Sequence, residues 1–150
     1  MENNVQWEIK HFNELSAIEY HEILALRTAI FVVEQNCPYQ EVDYKDLNSC
    51  HLWGSLDDQV IAVTRIVEPG ISYPEISIGR VAVDKKFRGT NISRDLMLMT
   101  ISFIEKIYGK QAIRISAQEH LQSYYHKFDF KTVGQMYLED DIPHVQMLRQ

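Results

Sequence analysis

The stretch best equipped for chemistry is Ile78-Gly-Arg-Val-Ala-Val-Asp-Lys-Lys-Phe-Arg-Gly-Thr-Asn-Ile-Ser-Arg-Asp-Leu-Met97. A β-branched run leads into a short basic turn and then a helix start. The first N–H groups of a helix have no partner within it, and the helix dipole there favours negative charge. A glycine-containing turn with Arg88 at its edge, feeding such a helix, can cradle a pyrophosphate. The same residues also read as a plain strand-to-helix connection with a solvated basic turn. Arg80, Lys85, Lys86, Arg88 and Arg94 cluster here in a chain of net charge −6, with 21 acidic against 15 basic residues. A local cationic patch on an acidic protein suits a small polyanion, and the overall balance argues against a nucleic-acid partner.

Other reactive side chains are less organised. His11, His21, His51, His120, His126 and His144 form no His-Glu-x-x-His pair, and Cys37 and Cys50 form no CxxC, so no metal is expected. Nothing beside Cys37 supplies the base and orienting group that a thiol nucleophile needs. Two widely spaced cysteines fit free thiols in a reducing cytosol. The start, Met-Glu-Asn-Asn, lacks the basic and apolar regions of a signal peptide, and no apolar run is long enough to span a membrane. A cytoplasmic protein is the expectation.

The elements that must position these residues follow from periodicity. At 150 residues and 45% hydrophobic content, one compact domain over 1–150 is expected, with no internal repeat or linker. Val5 to Ile9 alternates as a strand. Ser16-Ala-Ile-Glu19 has capping-box spacing and opens a helix near residue 17, which must end before Cys37-Pro38. Ile23, Leu26, Ile30 and Val33 line that helix, as do Tyr20, Leu24, Arg27 and Phe31, with Arg27 set oddly in an apolar face. Residues 34–49 read as a polar loop or short helical turns. His51–Leu56 and Val60–Glu68 form a hairpin around Asp57-Asp58-Gln59, and Glu75–Val83 is a further strand. The helix from Thr90 to Tyr108 is expected to bury Ile92, Leu96, Met99, Phe103 and Ile107 and to end at Gly109. Ala112–Ala117 is a strand, Glu119–Phe128 a short helix, and Phe130–Leu138 and His144–Leu148 closing strands. The order β-α-β-β-β-α-β-α-β-β indicates a mixed α/β sheet.

Three segments resemble the GNAT superfamily of acyl-CoA-dependent N-acyltransferases. Arg88-Gly-Thr-Asn-Ile-Ser93 is similar to its phosphate motif Arg/Gln-x-x-Gly-x-Gly/Ala, with Asn91 and Ser93 where glycine or alanine is usual. Ser123-Tyr-Tyr-His-Lys-Phe-Asp-Phe130 resembles the segment Phe/Tyr-Tyr-x-x-x-Gly-Phe, with Asp129 in place of glycine. Leu26-Arg-Thr-Ala-Ile-Phe-Val-Val-Glu-Gln-Asn-Cys-Pro-Tyr-Gln-Glu-Val-Asp-Tyr-Lys-Asp46 looks like the signature of the ElaA-like branch, as does Asp141-Ile-Pro-His-Val-Gln-Met147. The resemblance implies a central mixed sheet of six to seven strands flanked by about four helices. It implies acetyl-CoA as cosubstrate and an amine, small or peptidic, as acceptor; a homodimer is common in the superfamily.

What the resemblance implies for residues is specific. Gly89, Thr90, Asn91, Ile92 and Ser93 would hold the pyrophosphate with Arg88, and Ser123 would also meet the coenzyme. Val81, Ala82 and Val83 would offer strand N–H donors where the fourth and fifth strands splay. Tyr125 would protonate the departing thiolate, a role open to a phenol of reference pKa about 10; Tyr124, Tyr125 and Phe128 equally form a helix core face. Glu34, Glu75 and His144 are candidate bases, with Glu34 in the best context; it also reads as an ion-pair partner of Arg27 or another cation. Arg27 and Phe31 would flank the acceptor cleft, and Asp43 and Asp46 would form an anionic rim or a solvated loop. The same N-terminal third resembles acyl-homoserine-lactone synthases, and the altered glycine positions leave a non-catalytic acyl-CoA-binding module open.

Overall fold

A computed structural model of the chain describes residues 4–150. The N-terminal alternation forms β1 (Gln6–His11). The capping box then opens helix α1 (Ala17–Thr28): the Ser16 hydroxyl accepts the Glu19 N–H at 3.0 Å, and Glu19 Oε1 accepts the Ser16 N–H at 2.8 Å. α1 runs into wide π-helical turns over Ala29–Glu34 before the Cys37-Pro38 stop. A 3₁₀ turn, Tyr44–Asn48, interrupts the polar loop. β2 (Ser49–Leu56) and β3 (Gln59–Val67) form the expected hairpin, with Asp57 and Asp58 both left-handed at φ 50° and 64°. Those angles suit a tight turn that follows the strand twist.

β4 (Ile76–Val83), α2 (Ile92–Tyr108) and β5 (Ile113–Gln118) follow. α2 stops at Gly109, whose φ of 78° would strain a side chain. The predicted helix at 119–128 is a 3₁₀ turn plus a short α3 (Gln122–His126), and the chain closes with β6 (Lys131–Glu139) and β7 (Ile142–Arg149). Asp129 adopts φ 70°, the conformation that the glycine of the resembling segment would take. The sheet order is β1-β2-β3-β4-β5-β7-β6, and every neighbouring pair is antiparallel except β4 and β5. A parallel pair needs a crossover, which α2 supplies.

α1 packs one face of the sheet, burying Ile23, Leu26 and Ile30 against Trp53, Val63 and Ala82. α2 covers the other face, burying Met97, Ile101 and Ile104 against Ile66, Ile76 and Ile113. The expected α2 stripe is corrected here: Ile92 and Leu96 are buried, but Met99 is 38% and Ile107 57% exposed. The helix is apolar on several sides, and a polar residue holds the centre of its buried face. Thr100 is fully buried because its hydroxyl meets Thr64 at 2.9 Å and the Leu96 carbonyl at 2.7 Å. Among the described residues, no helix is long and apolar enough to cross a membrane.

Candidate active site

The sheet opens where its one parallel pair fails. β4 and β5 pair only at Ile76–Ile113 and Ser77–Arg114, although β4 continues to Val83 and β5 to Gln118. The cause lies in β4. Its register with β3 passes from Arg65–Gly79 to Val63–Ala82, so Arg80 and Val81 together face Thr64. The extra residue is a β-bulge, and Arg80 sits in it at φ 50°, a left-handed angle costly for a side-chain-bearing residue. A cavity of about 360 Å³ fills the resulting wedge, with Gly79–Val83 on one wall and Ile115–Gln118 on the other.

That wall carries unused backbone. The Asp84 N–H donates to the Ile61 carbonyl of β3 at 2.7 Å. Strand alternation then turns the N–H and C=O of Val83 away from β3, toward the wedge. Arg88 Nε accordingly donates to the Val83 carbonyl at 3.2 Å. Beyond Arg88, Gly89 turns the chain at φ 81°, and Thr90 Oγ1 accepts the Ile92 N–H at 3.3 Å. The first intrahelical bond of α2 is Asp95 N–H to the Asn91 carbonyl, at 2.9 Å. The N–H groups of Ser93 and Arg94 are thus left without an acceptor in the helix. The Ser93 hydroxyl is turned to Tyr124, with the two oxygens 2.5 Å apart. Its small side chain is held aside from the helix end. Ser123, on the first turn of α3, is exposed.

Tyr125 lines the cavity from α3 while only 9% exposed. Burial, and then the neighbouring Tyr124, push its phenol well above the ordinary tyrosine value, so it stays protonated throughout the neutral range. Phe31 lines the opposite side and carries the Arg80 guanidinium 5.0 Å from its ring centroid. Glu34 also lines the cavity, but it pairs with Arg88 rather than with Arg27: Arg88 Nη2 lies 2.9 Å from Oε1 and Nη1 2.5 Å from Oε2. Glu75 lies at the closed end of the wedge, where Arg114 Nε and Nη2 hold it at 2.9 and 3.1 Å. His144 lines the cavity as well.

The placement of Arg27 and Asp46 at an acceptor rim is overturned by burial, since they are 1% and 0% exposed. They belong to an ionic cluster beneath the cavity. Arg27 Nη1 and Arg65 Nη1 both reach Asp46 Oδ1, at 3.0 and 2.9 Å, and the Tyr20 hydroxyl donates to Oδ2 at 2.5 Å. Arg27 Nε donates to Glu41 at 2.7 Å, while Arg80 Nε lies 3.0 Å from the same carboxylate oxygen. Asp43 sits at the edge, 2.7 Å from Arg65 Nη1. His51 Nε2 donates to the Asp46 carbonyl at 3.1 Å. A guanidinium in an apolar helix face survives only if several acceptors satisfy it, which explains the odd position of Arg27. Glu41, Arg65, Arg80 and Tyr20 were not singled out from the sequence as partners of Arg27; the signal was an arginine inside an apolar stripe followed by spaced acids.

Comparison with known proteins agrees with this geometry. The model of the acetyltransferase (GNAT) domain matches residues 20–150. The protein ElaA of Escherichia coli is 37% identical over 148 residues, covering 97% of either chain. Its crystal structure superimposes with a TM-score of 0.91 over 97% of this chain and 99% of that one. An acyl-CoA N-acyltransferase from Pseudomonas aeruginosa is 40% identical, with a TM-score of 0.93 over 97% of this chain and 99% of that chain. A CoA-dependent acyl-homoserine lactone synthase reaches a TM-score of 0.76 at 16% identity, over 96% of this chain and 82% of the other, a likeness of fold alone.

Proposed function

Because the chain belongs to the GNAT acetyltransferase family, we propose that it transfers the acetyl group of acetyl-CoA to a primary amine by direct attack. The observation that carries this reading is the wedge between β4 and β5, with free strand N–H groups on one wall and a protonated phenol at its inner end. Arg88 and the amides from Gly89 to Ser93 receive the pyrophosphate, using the unpaired donors and the dipole of α2. The pantetheine arm lies along β4 and takes up strand donors that alternation turns away from β3, Val83 N–H among them. Those donors are fixed before the reaction and polarise the thioester carbonyl as negative charge grows on its oxygen. The amine nitrogen bonds to the carbonyl carbon, the C–S bond breaks, and Tyr125 gives its proton to the departing sulfur.

Release of free thiol from acetyl-CoA over a panel of small and peptidic amines tests the reading. At least one amine should raise thiol release well above the rate with water. Tight coenzyme binding without thiol release for any amine would overturn it in favour of a binding module. Turnover only with an acylated carrier protein would place the chain with the lactone synthases instead.

A further inference from the structure

The acceptor side of the cavity holds one side chain built to receive a proton. His144 opens onto the cavity from β7, opposite Gln118 of β5, while only 7% exposed. Its Nδ1 lies 2.7 Å from the Ile142 carbonyl oxygen. A carbonyl can only accept, so Nδ1 carries the hydrogen, and Nε2 of the neutral ring bears the free lone pair. The ring is held flat against Tyr137, with centroids 6.2 Å apart and planes at 28°. Nε2 faces Glu139 Oε2 at 3.6 Å. That is too long for a hydrogen bond to a neutral ring, yet near enough to stabilise an imidazolium. Glu139 is itself fixed, since Ser116 Oγ donates to its Oε1 at 2.9 Å and is bonded in turn to the Tyr137 hydroxyl.

The competing carboxylates are occupied. Glu34 is forked by Arg88, Glu75 by Arg114, and Glu41 is shared by Arg27 and Arg80. The hydrogen bonds from Arg88 and Arg114 lower the basicity of Glu34 and Glu75. His144 has a lone pair on Nε2 that no hydrogen bond occupies, and the Glu139 carboxylate lies 3.6 Å from that nitrogen.

We propose that His144 is the general base that deprotonates the acceptor amine, with Glu139 a positioning residue that stabilises its protonated form; this rests on the acetyl-transfer reading above. As the nitrogen bonds to the thioester carbon, one N–H proton passes to Nε2. The C–S electron pair stays on sulfur, which takes the Tyr125 proton. The imidazolium then returns its proton to solvent and the phenolate regains one, leaving amide and free thiol. Other ionisable groups bordering His144 are Tyr137 and Glu139 on β6, Asp140 in the turn, and Tyr39 and His120 across the cavity. Tyr73, beside Tyr137 and Glu139, is pushed up to about 12 by burial and carries no charge near neutrality. His120, the other imidazole lining the cavity, is therefore the control.

The test has two arms. Long-range ¹⁵N NMR, with the ring assigned by its loss in His144→Gln, should show a neutral His144 protonated on Nδ1; protonation on Nε2 overturns the proposal. The second arm follows thiol release from acetyl-CoA against pH, with propylamine as acceptor. Wild type should show an acid limb, and His144→Gln should lose that limb and about a hundredfold in kcat with coenzyme affinity unchanged. Glu139→Gln should lower kcat with coenzyme affinity unchanged, because the imidazolium loses its counter-charge. An acid limb that survives in His144→Gln, or that vanishes in His120→Gln, overturns the assignment. Failure of the acetyl-transfer reading is separable: wild type would then release no thiol with any amine, and this proposal would fall with it.

Discussion

Arg88 and Glu34 lock together at the cavity wall through two bonds, Nη2 to Oε1 at 2.9 Å and Nη1 to Oε2 at 2.5 Å. The pair joins the two ends of the proposed site, because Glu34 closes the π-helical turns after α1 and Arg88 begins the turn into α2. The hydrogen bond from Arg88 holds the Glu34 carboxyl below the usual range, so it is ionised at neutral pH. A pyrophosphate bound as proposed would compete with Glu34 for one guanidinium.

Two substitutions follow from that competition. Arg88→Ala should weaken coenzyme A binding about tenfold or more, on the ~1.5–3 kcal/mol typical of hydrogen bonds to charged groups. Glu34→Gln should tighten binding about two- to fivefold, because an exposed ion pair of ~0.2–1 kcal/mol no longer has to be broken. Calorimetry with coenzyme A measures both. If Glu34 were instead the base, Glu34→Gln would leave affinity alone and collapse turnover.

Tyr125 is separable from binding. Its hydroxyl is the only group lost in Tyr125→Phe, and burial keeps that hydroxyl protonated at any assay pH. Tyr125→Phe should lower kcat at least tenfold with coenzyme affinity little changed. Equal turnover in the two proteins would remove the phenol from the reaction. No alkaline limb belonging to Tyr125 should appear in the neutral range.

Local signals in the sequence were read well because each depended on a few adjacent residues. Ser16 and Glu19 close a box across three positions, and Gly109 stops a helix by its own φ. The sides of α2 do not follow from spacing alone, because the buried Thr100 hydroxyl is met by Thr64, thirty-six positions away, as well as by the Leu96 carbonyl. The same limit applies to the site. The sequence marks Arg88 as a candidate phosphate ligand, but its pairing with Glu34 spans fifty-four positions, and no spacing rule reaches that far. Ser93, an apparent defect in the phosphate motif, pairs with Tyr124 once α3 is in place.

Glu75 provides a negative control. Its carboxylate is forked by Arg114 at the end of the wedge where β4 and β5 still pair, away from the cavity. Glu75→Gln should cost at most about 1 kcal/mol of stability, as for other partly exposed pairs, and leave thiol release unchanged. A large fall in kcat at unchanged melting temperature would return Glu75 to the list of bases.

The buried cluster sets the response to acid. Burial raises the Asp46 carboxyl, but Arg27, Tyr20 and Arg65 outweigh it, and the net shift is downward. A depressed folded pKa contributes stability that is complete above the unfolded value, near 3.9, and is lost as pH falls from there through the lower folded value. His51 titrates earlier. Burial, and then the charges of Arg27 and Arg65, lower its pKa, and its Nδ1 is buried without a partner. Its neutral form is the one the fold accepts, so stability is complete above about 6.5 and declines as pH falls below it. Melting temperature against pH should show both phases. His51→Gln should flatten the phase that begins below about 6.5. Asp46→Asn should cost about 3–5 kcal/mol at pH 7, because it leaves Arg27 and Arg65 buried against a neutral amide, and should remove the steep phase below about 4. A wild-type melting temperature that stays level from pH 7 to 4 would show that His51 is not under the constraint assigned to it, and one that stays level below pH 4 would show the same of Asp46.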